Sequence, residues 1–405
     1  MNNPKPILEF HKPERDPVGK TGNARDHRLS SSKPTQPPRD LRWLRVEEFF
    51  HAKSIAPNTK KAYERELKRF VDWTDKAWND INGRDIANYK HDLETCATDS
   101  GKQQRSLSTI AVAMTALKSF FKWMAASYYM NENPTAAVTI PPQKKPQPQH
   151  LSDAEVEALY EALLYRGEMQ RRDRAILAVL EHGLRAEEVS QLNVSDYDGE
   201  RVFIRQAKHD STGWVPLAPE SSLALDSYLE ARRQQENKTM ESDEPLFLSH
   251  SPKPKLNSQR LGYDGIYKMV RDLGHIACGI LIQDWFVRHE LPGSQEESQS
   301  QQLQTFLACR NPSNFPQWTL AYLPPQLKTK AQRLLAVHPH QLRHTFATRL
   351  VLMGIDSYLA RKLTRHESES AFRRYSEYGR GVAAEAAYRQ AIAHKNQRHD
   401  LHADR

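Results

Sequence analysis

Cysteine is scarce in this 405-residue chain: only Cys96, Cys278 and Cys309 occur, an odd number with no CxxC pair. That excludes a disulfide framework and a zinc ribbon, and fits a reducing compartment. Long apolar runs are also missing. No stretch approaches the roughly 20 apolar residues of a membrane span, and Met1-Asn2-Asn3-Pro4-Lys5-Pro6 lacks the apolar core of a signal peptide. A soluble, cytoplasmic protein that acts without a membrane is therefore expected. Acidic charge is in deficit, with 58 Lys and Arg against 50 Asp and Glu and a formal charge of +8. A basic balance favours a polyanionic partner. The mean hydropathy of −0.76 points to a very polar surface or to disordered parts.

Hydrophobic residues make up 38% of the chain, enough for two or three ordinary cores. Residues 1–42 mix Pro, Lys, Arg, Ser and Asp without apolar periodicity and read as a disordered, basic arm. From residue 43 to 136 the pattern becomes helical. Tyr63, Leu67, Phe70 and Trp73 recur at three- and four-residue spacing, as do Ile86, Tyr89 and Leu93, and again Ile110, Met114, Leu117, Phe120, Phe121 and Met124. Lys60, Lys61, Arg65, Lys68 and Arg69 crowd the polar side of one of these helices. Such a run is commonly a solvated face; in a DNA-acting protein it is a phosphate-facing one. Residues 137–150 are Pro-rich and basic, an extended and stiff linker. A second domain, 151–385, opens with the capping pair Ser152 and Glu155, and 386–405 remain as a tail.

The second domain carries the chemistry. Gly183-Leu184-Arg185-Ala186-Glu187-Glu188 follows an apolar helical run, and in isolation Arg185 and Glu188 read as a surface ion pair. Arg201–Arg205 and Trp214–Leu217 read as two strands joined through Asp210-Ser211-Thr212-Gly213, with Lys208 where the first strand enters the turn. Farther on, His340, Arg343 and His344 share one helical face, and His366 precedes an isolated Tyr375 by nine residues. The two histidines have the spacing of a zinc-protease helix. The general-base Glu of that motif is absent, however, and Arg343 between them would repel a dication. An arginine, flanking histidines and a downstream tyrosine are instead the parts needed to break a phosphodiester without metal. Arg343 would hold phosphate oxygens in a planar fork. His340 would take the tyrosine proton, since imidazole titrates near neutrality. Tyr375 needs both that base and a cationic neighbourhood, because a phenol of pKa near 10 is a weak nucleophile.

Taken together and in this order, these motifs resemble the tyrosine recombinase (phage integrase) family, in its Xer-like form, over about residues 43 to 385. The resemblance implies a mostly α fold with a small β-sheet (α+β). A helical, SAM-like core-binding domain would precede a mixed α/β catalytic domain. Arg185 becomes a clamp on the scissile phosphate and Lys208 the donor of a proton to the leaving 5′-oxygen. His366 becomes a hydrogen-bond donor to the phosphate, and Tyr375 the nucleophile, ahead of Tyr378. The catalytic set is then Arg185, Lys208, His340, Arg343, His366 and Tyr375, with no metal or organic cofactor and no ATP. The implied partner is double-stranded DNA with paired inverted repeats, bound by a homo-tetramer on two sites in the nucleoid. A regulator that kept the fold and lost catalysis is an alternative; a topoisomerase that reseals the same strand is another. The sequence departs from the family in two places. Leu363-Thr364-Arg365-His366 stands where Leu-Gly-His is usual, and the chain is longer than the family minimum between Lys208 and His340. The extra length is expected as an insertion over 279–336, a polar loop flanked by local structure. Pro245–Leu248 is expected as a strand.

Overall fold

The computed structural model describes residues 40–95, 105–140, 149–205, 212–236, 240–250, 259–289, 297–308 and 311–403. The expected N-terminal arm (up to residue 39), most of the Pro-rich linker and Lys208 lie outside these residues. The chain separates into two compact units between residues 145 and 146.

The first unit consists of α1 (Leu41–Ala52), α2 (Pro57–Trp73), α3 (Gly83–Thr95) and α4 (Leu107–Ala126). Pro57 opens α2 at a position where the missing N–H costs nothing. Ser106 caps α4 by accepting the Thr109 N–H at 3.2 Å. The periodic apolar residues of α4, from Ile110 to Met124, are buried. They meet an aromatic core in which Trp78 packs on Phe120 with ring centroids 4.8 Å apart, and Phe70 stands edge-on to Tyr89 at 4.9 Å.

The second unit begins as the sequence indicates. Ser152 accepts the Glu155 N–H at 3.3 Å and Glu155 returns to the Ser152 N–H at 2.8 Å, a capping box that opens α5 (Asp153–Ala162). There follow α6 (Gln170–Glu181), α7 (Ala186–Ser190), β1 (Arg201–Ile204), β2 (Gly213–Pro216), α8 (Pro219–Glu236) and α9 (Tyr263–Arg288). Then come α10 (Glu297–Ala308), α11 (Pro325–Leu335), α12 (Pro339–Leu352), α13 (Ser357–Leu363) and α14 (Glu369–Ala403). The sheet is one antiparallel pair, with Arg201 opposite Pro216 and Ile204 opposite Gly213. The fold is thus mostly α with a small sheet. Pro245–Leu248 is not a strand: among the described residues, single bridges form there, Asn193–Pro245 and Leu248–Arg260. The Leu246 N–H reaches Leu192 O at 2.9 Å, an oxygen that Arg260 shares at 2.8 Å, while Arg232 takes Pro245 O at 2.6 Å.

The inserted region also differs from expectation. Residue 279 lies inside the unbroken α9, and the polar stretch from Glu297 is a helix rather than a loop. Three-residue spacing brings Leu303 and Phe306 of α10 into the core with Phe315, a match hidden by the surrounding Gln and Ser. Gly279 makes room for this addition: a β-carbon there would overlap the Pro312 carbonyl oxygen. At the other end, α14 runs without interruption across residue 385, where a tail was expected to begin. Gly279→Ala should therefore destabilise the second unit by about 1–3 kcal/mol through overpacking. Urea denaturation followed by tryptophan fluorescence measures this; an unchanged midpoint would mean Pro312 does not sit on α9.

Candidate active site

Three turns and one helix supply the site, all in the second unit. The first follows α6. Gly183, at φ +78°, reverses the chain and lets Phe346 pack where a side chain would stand. Arg185 then enters α7 as the residue before its first turn. Its backbone N–H donates to Glu188 Oε2 at 2.8 Å and its Nη1 to Glu188 Oε1 at 2.6 Å. The carboxylate is buried while the Arg185 side chain stays 30% exposed. The expected ion pair exists, but its carboxylate is buried and the same carboxylate also caps the Arg185 backbone N–H.

The second turn opens α12. The His338 N–H donates to Gln341 Oε1 at 3.0 Å, and Pro339 starts the helix. One turn later Arg343 is 1% exposed. Its Nη1 donates to Gly183 O and its Nη2 to Thr364 O, while its Nε has no partner among the described residues. The third turn ends α13. The Thr364 hydroxyl donates to Ala360 O at 2.9 Å and so accepts from His366 Nδ1 at 2.7 Å. Between them Arg365 adopts φ +52°, a left-handed conformation costing a non-glycine residue roughly 1–2 kcal/mol. Arg365 is buried and its Nη2 donates to Glu188 Oε2.

The fourth element is α14, which carries Tyr375, itself 1% exposed. The Tyr375 hydroxyl is hydrogen-bonded to His344 Nδ1, and its ring centroid lies 5.5 Å from that of His366. The Arg374 guanidinium sits 5.7 Å from the ring centre. Tyr378 is elsewhere, its ring against that of His150 at 5.0 Å.

The structure therefore brings Arg185, Arg343, His366 and Tyr375 into one cluster, with His340 at its edge. His340 was expected to take the tyrosine proton, but it is His344 that bonds the hydroxyl. His344 is the buried member of the pair and faces α14. His340 is solvent-exposed one turn earlier, its ring edge-on to that of His344 at 4.4 Å. Sequence reasoning gave His344 no role and missed Arg365 and Arg374. The one available signal was Arg365 in place of a glycine. Of the five basic residues proposed to face phosphate, all on α2, Arg65 and Arg69 are both committed to the fully buried Glu66. Lys60 lies 5.5 Å from the Phe50 ring centre, and Lys61 and Lys68 are exposed.

Burial and positive charge set the protonation of the cluster. Burial, then the charges of His340 and Arg374, push His344 down to about 3. Burial and Arg343 bring His366 to about 3. Crowding by protein atoms, then the charges of Arg343 and His338, pushes His340 down to about 4. All three imidazoles are neutral at pH 7. Arg343, lowered to about 9 by burial and Arg185, keeps its charge. Burial raises the Tyr375 phenol, against the pull of Arg374, Arg343 and Arg185. Three buried or half-buried guanidiniums thus surround one carboxylate, and the centre is short of negative charge.

Against this geometry stand the comparisons with known proteins. The phage integrase N-terminal SAM-like domain matches residues 46–127, and the phage integrase family proper matches 149–291 and 320–379. The chain belongs to the phage integrase family. Residues 292–319 fall between the two matched stretches, a narrower excess than the expected 279–336. The chain is 24% identical over 350 residues to the tyrosine recombinase XerC of Oceanobacillus iheyensis, covering 85% of this chain and 92% of that one. It is 27% identical over 239 residues to the tyrosine recombinase XerD of Listeria monocytogenes, covering 56% and 76%. Among solved structures it shares its fold with the XerH site-specific recombinase bound to a palindromic difH substrate (TM-score 0.53, 18% identity, 86% of this chain and 84% of that one). A second is the Tn1549 transposon integrase with circular intermediate DNA (0.52, 17%, 82% and 94%). No helix among the described residues is long and apolar enough to cross a membrane.

The neutral histidines make a pH prediction. The unfolded chain binds a proton on His344 near pH 6.5, whereas the folded imidazole stays neutral down to about 3. Its stabilising contribution is complete above pH 6.5 and is lost as pH falls from there towards 3. Between pH 7 and pH 5 the second unit should lose about 2 kcal/mol more in the wild type than in His344→Gln, by this linkage. Urea denaturation at both pH values checks it; equal losses would rule the account out.

Proposed function

We propose that this chain is a site-specific recombinase that breaks and rejoins DNA strands through a 3′-phosphotyrosyl intermediate formed on Tyr375. One observation carries the reading: the Tyr375 hydroxyl, a neutral imidazole bonded to it, and the guanidiniums of Arg185 and Arg343 converge in a cluster with a deficit of negative charge. A scissile phosphodiester supplies the missing charge. Arg185 and Arg343 hold its non-bridging oxygens and stabilise the charge that builds on them in the transition state. The Tyr375 oxygen attacks phosphorus as its proton passes to His344, and the bond to the 5′-oxygen breaks. Lys208 gives that oxygen its proton, leaving a free 5′-hydroxyl. A 5′-hydroxyl from the partner strand then reverses these steps, so the phosphodiester is restored without ATP.

His366 takes part conditionally. With Nδ1–H bonded to Thr364, the neutral ring has no proton on Nε2 to give a phosphate oxygen. An arriving phosphate cancels the arginine charges that depress His366 and so favours the protonated, donating ring. In the free protein Tyr375 and Arg343 are each only 1% exposed, so DNA must draw α14 and its tyrosine outward before attack. Lys60, Lys61 and Lys68 of the first unit, with Arg65 and Arg69 beside them, serve as sequence-independent phosphate contacts. Exchange between two sites calls for four protomers on paired inverted repeats. Exposed Val382, Tyr388 and Ile392 along α14 support its docking on a neighbouring protomer.

Trapping covalent protein–DNA adducts in cells and sequencing the attached 3′ ends tests the proposal. Adducts should map to discrete sites and disappear in Tyr375→Phe. Arg185→Ala, which removes a side chain 30% exposed and bonded to Glu188, should slow adduct formation by about 10²–10³-fold, as loss of one transition-state donor does. Adducts persisting in Tyr375→Phe would move the nucleophile to Tyr378; adducts scattered without site preference would favour a topoisomerase.

A further inference from the structure

Arg365 is costly where it stands. A glycine would adopt φ +52° freely, and burial of a guanidinium without full pairing is unfavourable. Two of its donors, Nε and Nη1, are buried with no partner among the described residues, as is Nε of Arg343. Its one side-chain bond among the described residues, from Nη2, goes to Glu188 Oε2. That oxygen also accepts the Arg185 backbone N–H, and Arg185 Nη1 takes Oε1.

This sharing has two consequences. A carboxylate facing a single guanidinium tends to bind it through two parallel bonds. Here Oε2 is taken, so Arg185 spends one side-chain donor and keeps the rest of its fork. The Arg185–Glu188 pair alone would also be neutral; Arg365 adds its positive charge to that of Arg343.

We propose that Arg365 is a positioning residue, acting through Glu188 to hold the Arg185 guanidinium and a net positive charge ready for the non-bridging oxygens of the scissile phosphodiester. The role rests on the reading that Tyr375 attacks a phosphate at this cluster. Removal of Arg365 lets Glu188 close on Arg185 and neutralise it.

The full chain is compared as wild type, Arg365→Gly and Arg365→Lys, on DNA carrying the mapped cleavage site with either a phosphate or a methylphosphonate at the scissile position. Glycine suits the backbone at 365, and thermal unfolding verifies the fold. In single-turnover reactions at saturating DNA, Arg365→Gly should form the phosphotyrosyl adduct about 10–100-fold more slowly, as loss of a supporting residue does, with DNA affinity unchanged. Arg365→Lys should recover part of the rate. On the methylphosphonate, which lacks the anionic oxygen, the gap between wild type and Arg365→Gly should shrink to within about threefold, because no charge remains to be stabilised. A wild-type rate for Arg365→Gly on phosphate, or an equal deficit on both substrates, overturns the role. A second measurement needs no cleavage: inorganic sulfate should raise the melting temperature of the wild type more steeply than that of Arg365→Gly. Equal slopes overturn the proposal. This holds even where wild type forms no adduct, a result that by itself refutes only the reading of Tyr375.

Discussion

The second unit depends on one buried cation. Stripping water from the Arg343 guanidinium is unfavourable by several kcal/mol unless its hydrogens find acceptors. The acceptors it finds are the carbonyls of Gly183 and Thr364, just past the last turns of α6 and α13. Helix C-termini leave such carbonyls unpaired and carry partial negative charge, so one side chain completes two helix ends. In doing so it fastens the turn that presents Arg185 to the turn that presents His366. Two segments about 180 residues apart in sequence become one surface through a single side chain placed by α12.

The electrostatics follow from that choice. Burial, together with the positive charge collected nearby, keeps protons off the imidazoles, which leaves His344 a neutral acceptor for the Tyr375 hydroxyl. The same field opposes the effect of burial on the phenol. The free protein holds this imbalance in a closed arrangement, with Tyr375 and Arg343 each only 1% exposed. An anion placed among these guanidiniums would relieve it and favour protonation of the nearby imidazoles.

Much of this was legible in the residues, and the reasons differ from part to part. Helices of the first unit could be read because burial of one face imposes a 3.6-residue period, visible from Ile110 to Met124. Ser152 and Glu155 announced α5 because a capping box is made within four residues. The helix α10 was not legible: only Leu303, Phe306 and their neighbours mark its buried face, and what they bury against is Phe315 and α9. Pro245–Leu248 has strand-like residues, yet its backbone bonds to Leu192 and Leu261 belong to single bridges with different segments rather than to one ladder.

The sequence by itself determined which chemical groups are available, their order, and every structure closed within a turn or two of helix. It therefore identified Arg185, Arg343, His366 and Tyr375 as members of one set. Which imidazole meets the tyrosine was left to tertiary structure. His340 and His344 are neighbours on one helix face, and only the packing of α14 makes one buried and the other exposed. Likewise an arginine at 365 reads as a surface charge until α7 brings Glu188 against it. Local periodicity fixes what lies along a helix; what lies across from it depends on distant segments closing over a shared core, and no window of sequence contains both sides.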